Sequence, residues 1–493
     1  VAAAGHGSRE VAAAGRGSME VVTATDATPG STTPDSETTG LGDALLGPLD
    51  GRYRASTAPL AEHLSEAALN RERVRVEVAW LVHLTTTEDV PGARRLTDDE
   101  IARLRSVIDG FGPADVAELA EIERVTLHDV KAVEYYLKER VEGSSLADVE
   151  ELVHLFCTSE DVNNLSYALM VRGAVGTVWL PAARAVTADV AALAREHRAL
   201  PMLARTHGQP ATPTTLGKEL AVLARRLERQ LRRVERAEYL GKINGATGTY
   251  SAHVAGAPGT DWIAVSKSFV EHLGLTWNPL TTQIESHDWQ AELYSDMARF
   301  NRVLHNLCTD MWTYISLGYF VQVRGQGTVG SSTMPHKVNP IRFENAEANL
   351  EVSNALLDVL GSTLVTSRLQ RDLTDSSMQR NIGTAFGHSL VAIENTRRGL
   401  AGLDADPGAL AADLDATWEV LGEAVQSVMR VYGLEQPYER LKELTRGRRV
   451  DAAAIRAFVL GLGLPDDAQQ RLLDLTPGGY TGLADRLVDF LDR

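Results

Sequence analysis

The chain has 493 residues, 44% of them hydrophobic, and a formal net charge of −17. That length exceeds one ordinary compact domain and predicts two or three. The acidic balance excludes nucleic acid as the main partner, since phosphate backbones need a basic surface, but leaves room for a small anionic substrate held by local Arg and Lys.

Residues 1–40 open on a near-repeat, VAAAGHGSRE then VAAAGRGSME, and continue through Thr, Ser, Pro and Gly. They lack the apolar core of a signal peptide and read as a disordered tail. No stretch approaches the ~18 consecutive apolar residues of a spanning helix, so no membrane partner is expected. Two cysteines, Cys157 and Cys308, fit a reducing cytoplasm.

From Gly42 the pattern turns helical, and residues 41–156 read as an N-terminal helical domain. Within it, TLHDVKAVEYYLKE places His128 and Asp129 at the opening of a helix whose register is carried by Val130, Val133, Tyr136 and Leu137. An Asp there is an ordinary capping choice, and His128 taken alone reads as structural. Next comes CTSEDVNNLS, residues 157–166. Thr158 and Ser159 read as a helix start with acidic residues in the first turn, and the same geometry leaves backbone donors free for a carboxylate. In RTHGQPATPTTLGKE, His207 sits on a polar turn stiffened by Pro210 and Pro213, a reasonable acid–base candidate. Zinc is a poor alternative, because no second His or Cys stands at ligand spacing.

Long amphipathic runs come after this turn. Leu216, Leu220, Leu223, Leu227, Leu231 and Val234 form one stripe, and Trp289, Leu293, Met297, Phe300, Leu304, Leu307, Met311 and Ile315 form another. A third run starts at Phe343 and a fourth comes after Ser376. Such lengths predict an all-α protein of three helical domains. A central bundle over 157–402 has stripes too long for one subunit to cover, so it is expected to assemble into a multi-subunit helical core. Residues 403–493 form the C-terminal helical domain. Between the second and third runs lies GTVGSSTMPHKVNP, Gly327–Pro340. Gly325, Gly327 and Gly330 permit backbone mobility before Ser331, and Pro335 and Pro340 stiffen the segment beyond it. A plain surface loop is one reading, but long loops between economical helices tend to be functional. Lys337 and Asn339 alternate, which suits two groups aimed at one carboxylate. From the residues alone His336 is the favoured base.

GSSTMPHKVNP resembles the signature of the fumarase/aspartase superfamily, whose members expel fumarate by β-elimination. Together with DGRY (Asp50–Tyr53), HDVKAVEYYLKE, CTSEDVNNLSYALM, RTHGQPATPTTLGKE, TTQIESHD and QRDLTDSSMQRN, it resembles the adenylosuccinate lyase family in its longer bacterial form, from about Leu41 to the C-terminus. The resemblance implies two reactions: adenylosuccinate gives AMP and fumarate, and the succinylcarboxamide imidazole ribotide gives its carboxamide and fumarate. It implies a homotetramer whose sites draw on three subunits, with no metal or organic cofactor. It moves the base from His336 to Ser331 and makes His207 the general acid, tuned by Glu344. Lys337 and Asn339 would hold the succinyl carboxylates with Thr158, Ser159 and Ser332. Gln283 and Asn345 would contact substrate near the reacting region. Arg52, Tyr53, Arg371, Ser376 and Arg380 would bind phosphate and ribose. His128 would lie beside the substrate and orient His207, with Asp129 next to it. One departure is Leu127, where relatives often carry a polar residue before His-Asp. A backbone contact from that position survives, and activity is expected to be retained. Argininosuccinate lyase and carboxymuconate cycloisomerase are rivals that the phosphate set Arg371, Ser376 and Arg380 argues against. A non-catalytic scaffold is argued against by the intact Ser331, His207, Lys337 and Asn339.

Overall fold

The computed structural model describes residues 45–323, 334, 337–445 and 450–492. The predicted tail, 1–40, lies outside the described residues, as do Ser331, Ser332 and His336. The first helices are α1 (Arg54–Leu64), α2 (Glu66–Thr86), α3 (Asp98–Asp109), α4 (Pro113–Thr126) and α5 (Asp129–Val141). Local chemistry sets their starts. Ser65 Oγ accepts from the Ala68 N–H at 3.1 Å, and Thr97 and Glu100 form a reciprocal capping box.

Next come α6 (Ser159–Ala174), α7 (Leu180–Glu196), α8 (Leu216–Val234), the shorter α9 (Ser251–Gly256) and α10 (Trp262–His272), then α11 (Asp288–Ser316), α12 (Ile341–Leu364), α13 (Thr374–Gln379) and α14 (Ile382–Leu400). Short helices continue from Pro407 to Leu487. The fold is all-α. Its described strands are two or three residues long and form four pairs, among them the antiparallel hairpin of β2 (Arg205–Thr206) and β3 (Gln209–Pro210), preceded by β1 (Pro201–Met202).

The predicted stripes are the buried faces of the bundle. Leu216, Leu220, Leu223, Leu227, Leu231 and Val234 are all buried on α8, and Trp289, Leu293, Met297, Phe300, Leu304, Leu307 and Met311 are buried on the 29-residue α11, with Ile315 half-buried at its end. At 1.5 Å per residue α11 is about 44 Å long. It packs on α8 and α12, α12 packs on α14, and α7 packs on α8. Gly217 lets α7 and α8 approach, since a Cβ there would lie 2.3 Å from the Ala194 carbonyl oxygen. A buried polar chain crosses the bundle. Trp179 Nε1 donates to Ser389 Oγ (2.9 Å), which donates to Asn301 Oδ1 (2.8 Å), and Asn301 Nδ2 donates to Ser353 Oγ (3.1 Å). A satisfied chain of this kind fixes register, because any slip strands polar groups in the core. Some of the apolar surface on these helices stays open, including Trp312 at 42% exposure and Val352 at 45%. Smaller apolar clusters lie within residues 74–153 and 425–472.

Candidate active site

Thr158 caps α6, and its N–H donates to Asp161 Oδ2 at 2.9 Å. Asp161 does more than close that turn. Its carboxylate also receives Lys242 Nζ (2.8 Å), the Asn244 N–H (2.9 Å) and the Gly245 N–H (3.1 Å), with Asp161 and Lys242 both fully buried. A buried ion pair is tolerated when hydrogen bonds satisfy its remaining capacity, and each oxygen here has two donors. The result fixes Thr158 and Ser159 against the loop after Lys242. That loop in turn holds Gln283, whose Nε2 donates to the Ala246 carbonyl at 2.8 Å. Gly248, at φ +74°, passes so close to the Thr281 carbonyl that a Cβ would sit 2.4 Å away.

The approach to Thr158 is strained. His154 and Phe156 adopt φ +59° and +65°, a region side chains disfavour. Tertiary contacts hold them there: His154 Nδ1 lies 2.5 Å from Glu77 Oε1, Trp80 Nε1 donates to the Leu155 carbonyl (2.9 Å), and Phe156 stacks on His253. Burial alone would depress the His154 imidazole, but the Glu77 carboxylate outweighs it and raises its pKa.

His128 caps α5 by accepting the Lys131 N–H on Nδ1 at 3.1 Å. In the neutral ring this leaves the proton on Nε2, which faces Ser159 Oγ at 3.5 Å. Asp129 accepts from Arg73 Nη2 (2.6 Å) and Arg380 Nη2 (3.3 Å). Burial pushes the Asp129 carboxyl up, yet the Arg73 guanidinium prevails and holds it below its ordinary value. Arg371 pairs with Glu160 (2.9 Å) and donates to Gln283 Oε1 (3.3 Å). Ser376 lies on α13 between the two arginines, its N–H on Asp375 Oδ1 at 2.7 Å. The structure therefore gathers His128, Asp129, Thr158, Ser159, Gln283, Arg371, Ser376 and Arg380 in one region.

Other candidates stand in different surroundings. Asn345, on the first turn of α12, donates to Tyr53 OH at 2.8 Å, with the exposed Arg52 next in sequence. Glu344 accepts from Trp312 Nε1 at 3.1 Å. Lys337 is exposed and Asn339 half-buried in the segment leading into α12. His207 occupies the exposed tip of the β2–β3 hairpin, where it and Gly208 both have positive φ, the twist a two-residue hairpin turn requires. Arg205 anchors that hairpin through Tyr319 OH (2.7 Å) and Asp413 (2.8 Å). Among the described residues, no hydrogen bond or ion pair joins His207 to Glu344 within the chain.

Arg73, Glu160, Asn163, Asp161 and Lys242 are not singled out by sequence reasoning. A signal exists for Arg73: it falls in helical step with Leu69, Val76 and Trp80, all buried, so its charge lies on the inward face of α2.

Residues 51–352 match the Lyase family, and residues 367–481 match the family described as adenylosuccinate lyase C-terminal. The adenylosuccinate lyase of Escherichia coli K12 is 49% identical over 447 residues, covering 90% of this chain and 98% of that protein. That of Haemophilus influenzae is 48% identical with the same coverage, and that of Legionella pneumophila strain Corby 45% identical, covering 90% and 97%. Among solved structures, a fumarate lyase from Mesorhizobium sp. BNC1 superposes with a TM-score of 0.71 at 20% identity, covering 88% of this chain and 97% of that one. The 3-carboxy-cis,cis-muconate lactonizing enzyme of Pseudomonas putida gives 0.68 at 20% identity, covering 88% and 96%. At that identity these two share the fold, whereas the curated relatives share nearly half their residues over almost their whole length. The chain thus belongs to the adenylosuccinate lyase family of the fumarase/aspartase superfamily.

Proposed function

We propose that the chain cleaves adenylosuccinate to AMP and fumarate, and the succinylcarboxamide imidazole ribotide to its carboxamide and fumarate. The observation that carries this reading is the donor set gathered around α6: the guanidiniums of Arg371 and Arg380, the hydroxyls at the helix start, the Gln283 amide and the His128 imidazole. Such a set suits a ligand bearing a phosphate and carboxylates, because arginine forks and free helix-start donors both favour anions.

In the proposed chemistry Ser331 removes a proton from the succinyl carbon beta to the departing nitrogen. The charge spreads into the adjoining carboxylate, where Lys337 and Asn339 stabilise it. A seryl alkoxide is rare in water, so Ser331 needs a nearby cation and exclusion of solvent. His207 protonates the leaving nitrogen, which departs poorly as an anion. No cofactor enters these steps.

Shared sites in a homotetramer complete the proposal. Two observations support it: His207 stands exposed, without a bond to the residues around α6, and apolar side chains remain open on α11 and α12. A cytoplasmic location fits, and among the described residues no helix is long and apolar enough to cross a membrane. The test is the change in purine absorbance during incubation with adenylosuccinate. A preparation that leaves adenylosuccinate intact while cleaving argininosuccinate overturns the assignment.

A further inference from the structure

Arg371 and Arg380 flank α13 and are joined by a continuous polar line through the interior. Arg371 Nη2 meets Glu160 Oε1 at 2.9 Å, and that same oxygen accepts from Asn163 Nδ2 at 2.8 Å. Asn163 Oδ1 accepts from Arg73 Nε at 2.9 Å. Arg73 Nη2 reaches Asp129 Oδ2 at 2.6 Å, which Arg380 Nη2 shares at 3.3 Å. The middle is closed to solvent: Arg73 and Glu160 are each 2% exposed and Asn163 6%. The ends open, with the Arg371 side chain 19% and that of Arg380 38% exposed.

Arg73 uses all three of its nitrogens, since Nη1 also donates to Asn70 Oδ1 at 3.2 Å. One rigid planar fork thereby fixes acceptors on α2, α5 and α6 at once, which a lysine ammonium on a flexible stem cannot reproduce. Burying charge in this way adds little net stability compared with a well-packed apolar core, so stability is a weak reason for the line. What it does achieve is geometric. It ties the half-buried Arg371 to the more exposed Arg380, which Glu66 also holds at 2.6 Å, at the two ends of a helix carrying Ser376.

We propose that Arg73, acting through Asn163, Glu160 and Asp129, is a positioning residue that sets the spacing of Arg371 and Arg380 and thereby the affinity for the phosphorylated part of the ligand. This rests on the assignment of those two arginines under the proposed function. Arg73 does not itself touch ligand.

The experiment uses the full chain and two probes, AMP and fumarate, each titrated by calorimetry. In Arg73→Lys, which keeps the charge and loses the fork, the Kd for AMP rises about tenfold, the size of one lost charge-assisted hydrogen bond. Fumarate, which carries no phosphate, binds as before. Glu160→Gln gives the same split and serves if Arg73→Lys does not fold. Unchanged AMP affinity in a folded variant overturns the inference, and so does equal weakening of both probes, which marks a general loss of structure. A wild-type chain that fails to bind AMP overturns the site assignment itself, and that result is seen before any variant is made.

Discussion

Leu127 ends α4 with φ +52° and stands 87% exposed, while its N–H donates to the Glu123 carbonyl. Left-handed backbone costs an ordinary side chain about 1–2 kcal/mol, and Asn escapes much of that. Leu127→Asn is therefore expected to raise stability by ~1 kcal/mol, seen as a higher denaturant midpoint with unchanged slope. A lower midpoint would contradict the strain argument. The family resemblance flags this position as unusual, but only the backbone angle explains why a polar residue suits it. At Ser331 the expectation concerns chemistry: Ser331→Ala keeps AMP affinity and lowers turnover at least ~10², the low end of acid–base contributions. Near-normal turnover would reject the assigned base. His128 shows what composition alone could not decide. It caps α5 and also stands 3.5 Å from Ser159 Oγ, an approach that the cap alone does not require.

The start of α6 is the element where local and distant chemistry meet. Its cap is legible in CTSEDVNN, because Thr followed by an acidic residue three positions on is a local signal. Its anchoring is not. Lys242, Asn244 and Gly245 lie 81–84 positions away, and no periodicity links them to Asp161. Asp161→Asn leaves Lys242 buried without its counter-charge and is expected to destabilise the chain by about 3–5 kcal/mol, measured by denaturant unfolding. A loss within experimental error would show that the pair is dispensable. The same reasoning explains why α8 is readable from its stripe while the polar line through α2 is not. Leucines repeat on a helical period, whereas the period that turns Arg73 inward on α2 says nothing of which acceptors on α5 and α6 will meet it.

At the scale of the whole molecule, the run lengths already point to a helical bundle, because 19- to 29-residue helices need a partner along their full extent. How many subunits supply that partner is not written in any one stripe. If sites are shared, mixing inactive Ser331→Ala and His207→Ala chains restores part of the activity, since some mixed sites combine an intact hydroxyl with an intact imidazole. Subunits that demonstrably exchange yet stay inactive would rule this out. The mounting of His207 carries a consequence for anyone shortening the protein. Its hairpin is bolted through Arg205 to Asp413, in a region that contributes none of the proposed chemical groups. A chain stopped before Asp413 would retain every proposed reactive group, yet the hairpin of His207 would lose the ion pair to Asp413 and keep only the Arg205–Tyr319 bond of that anchor.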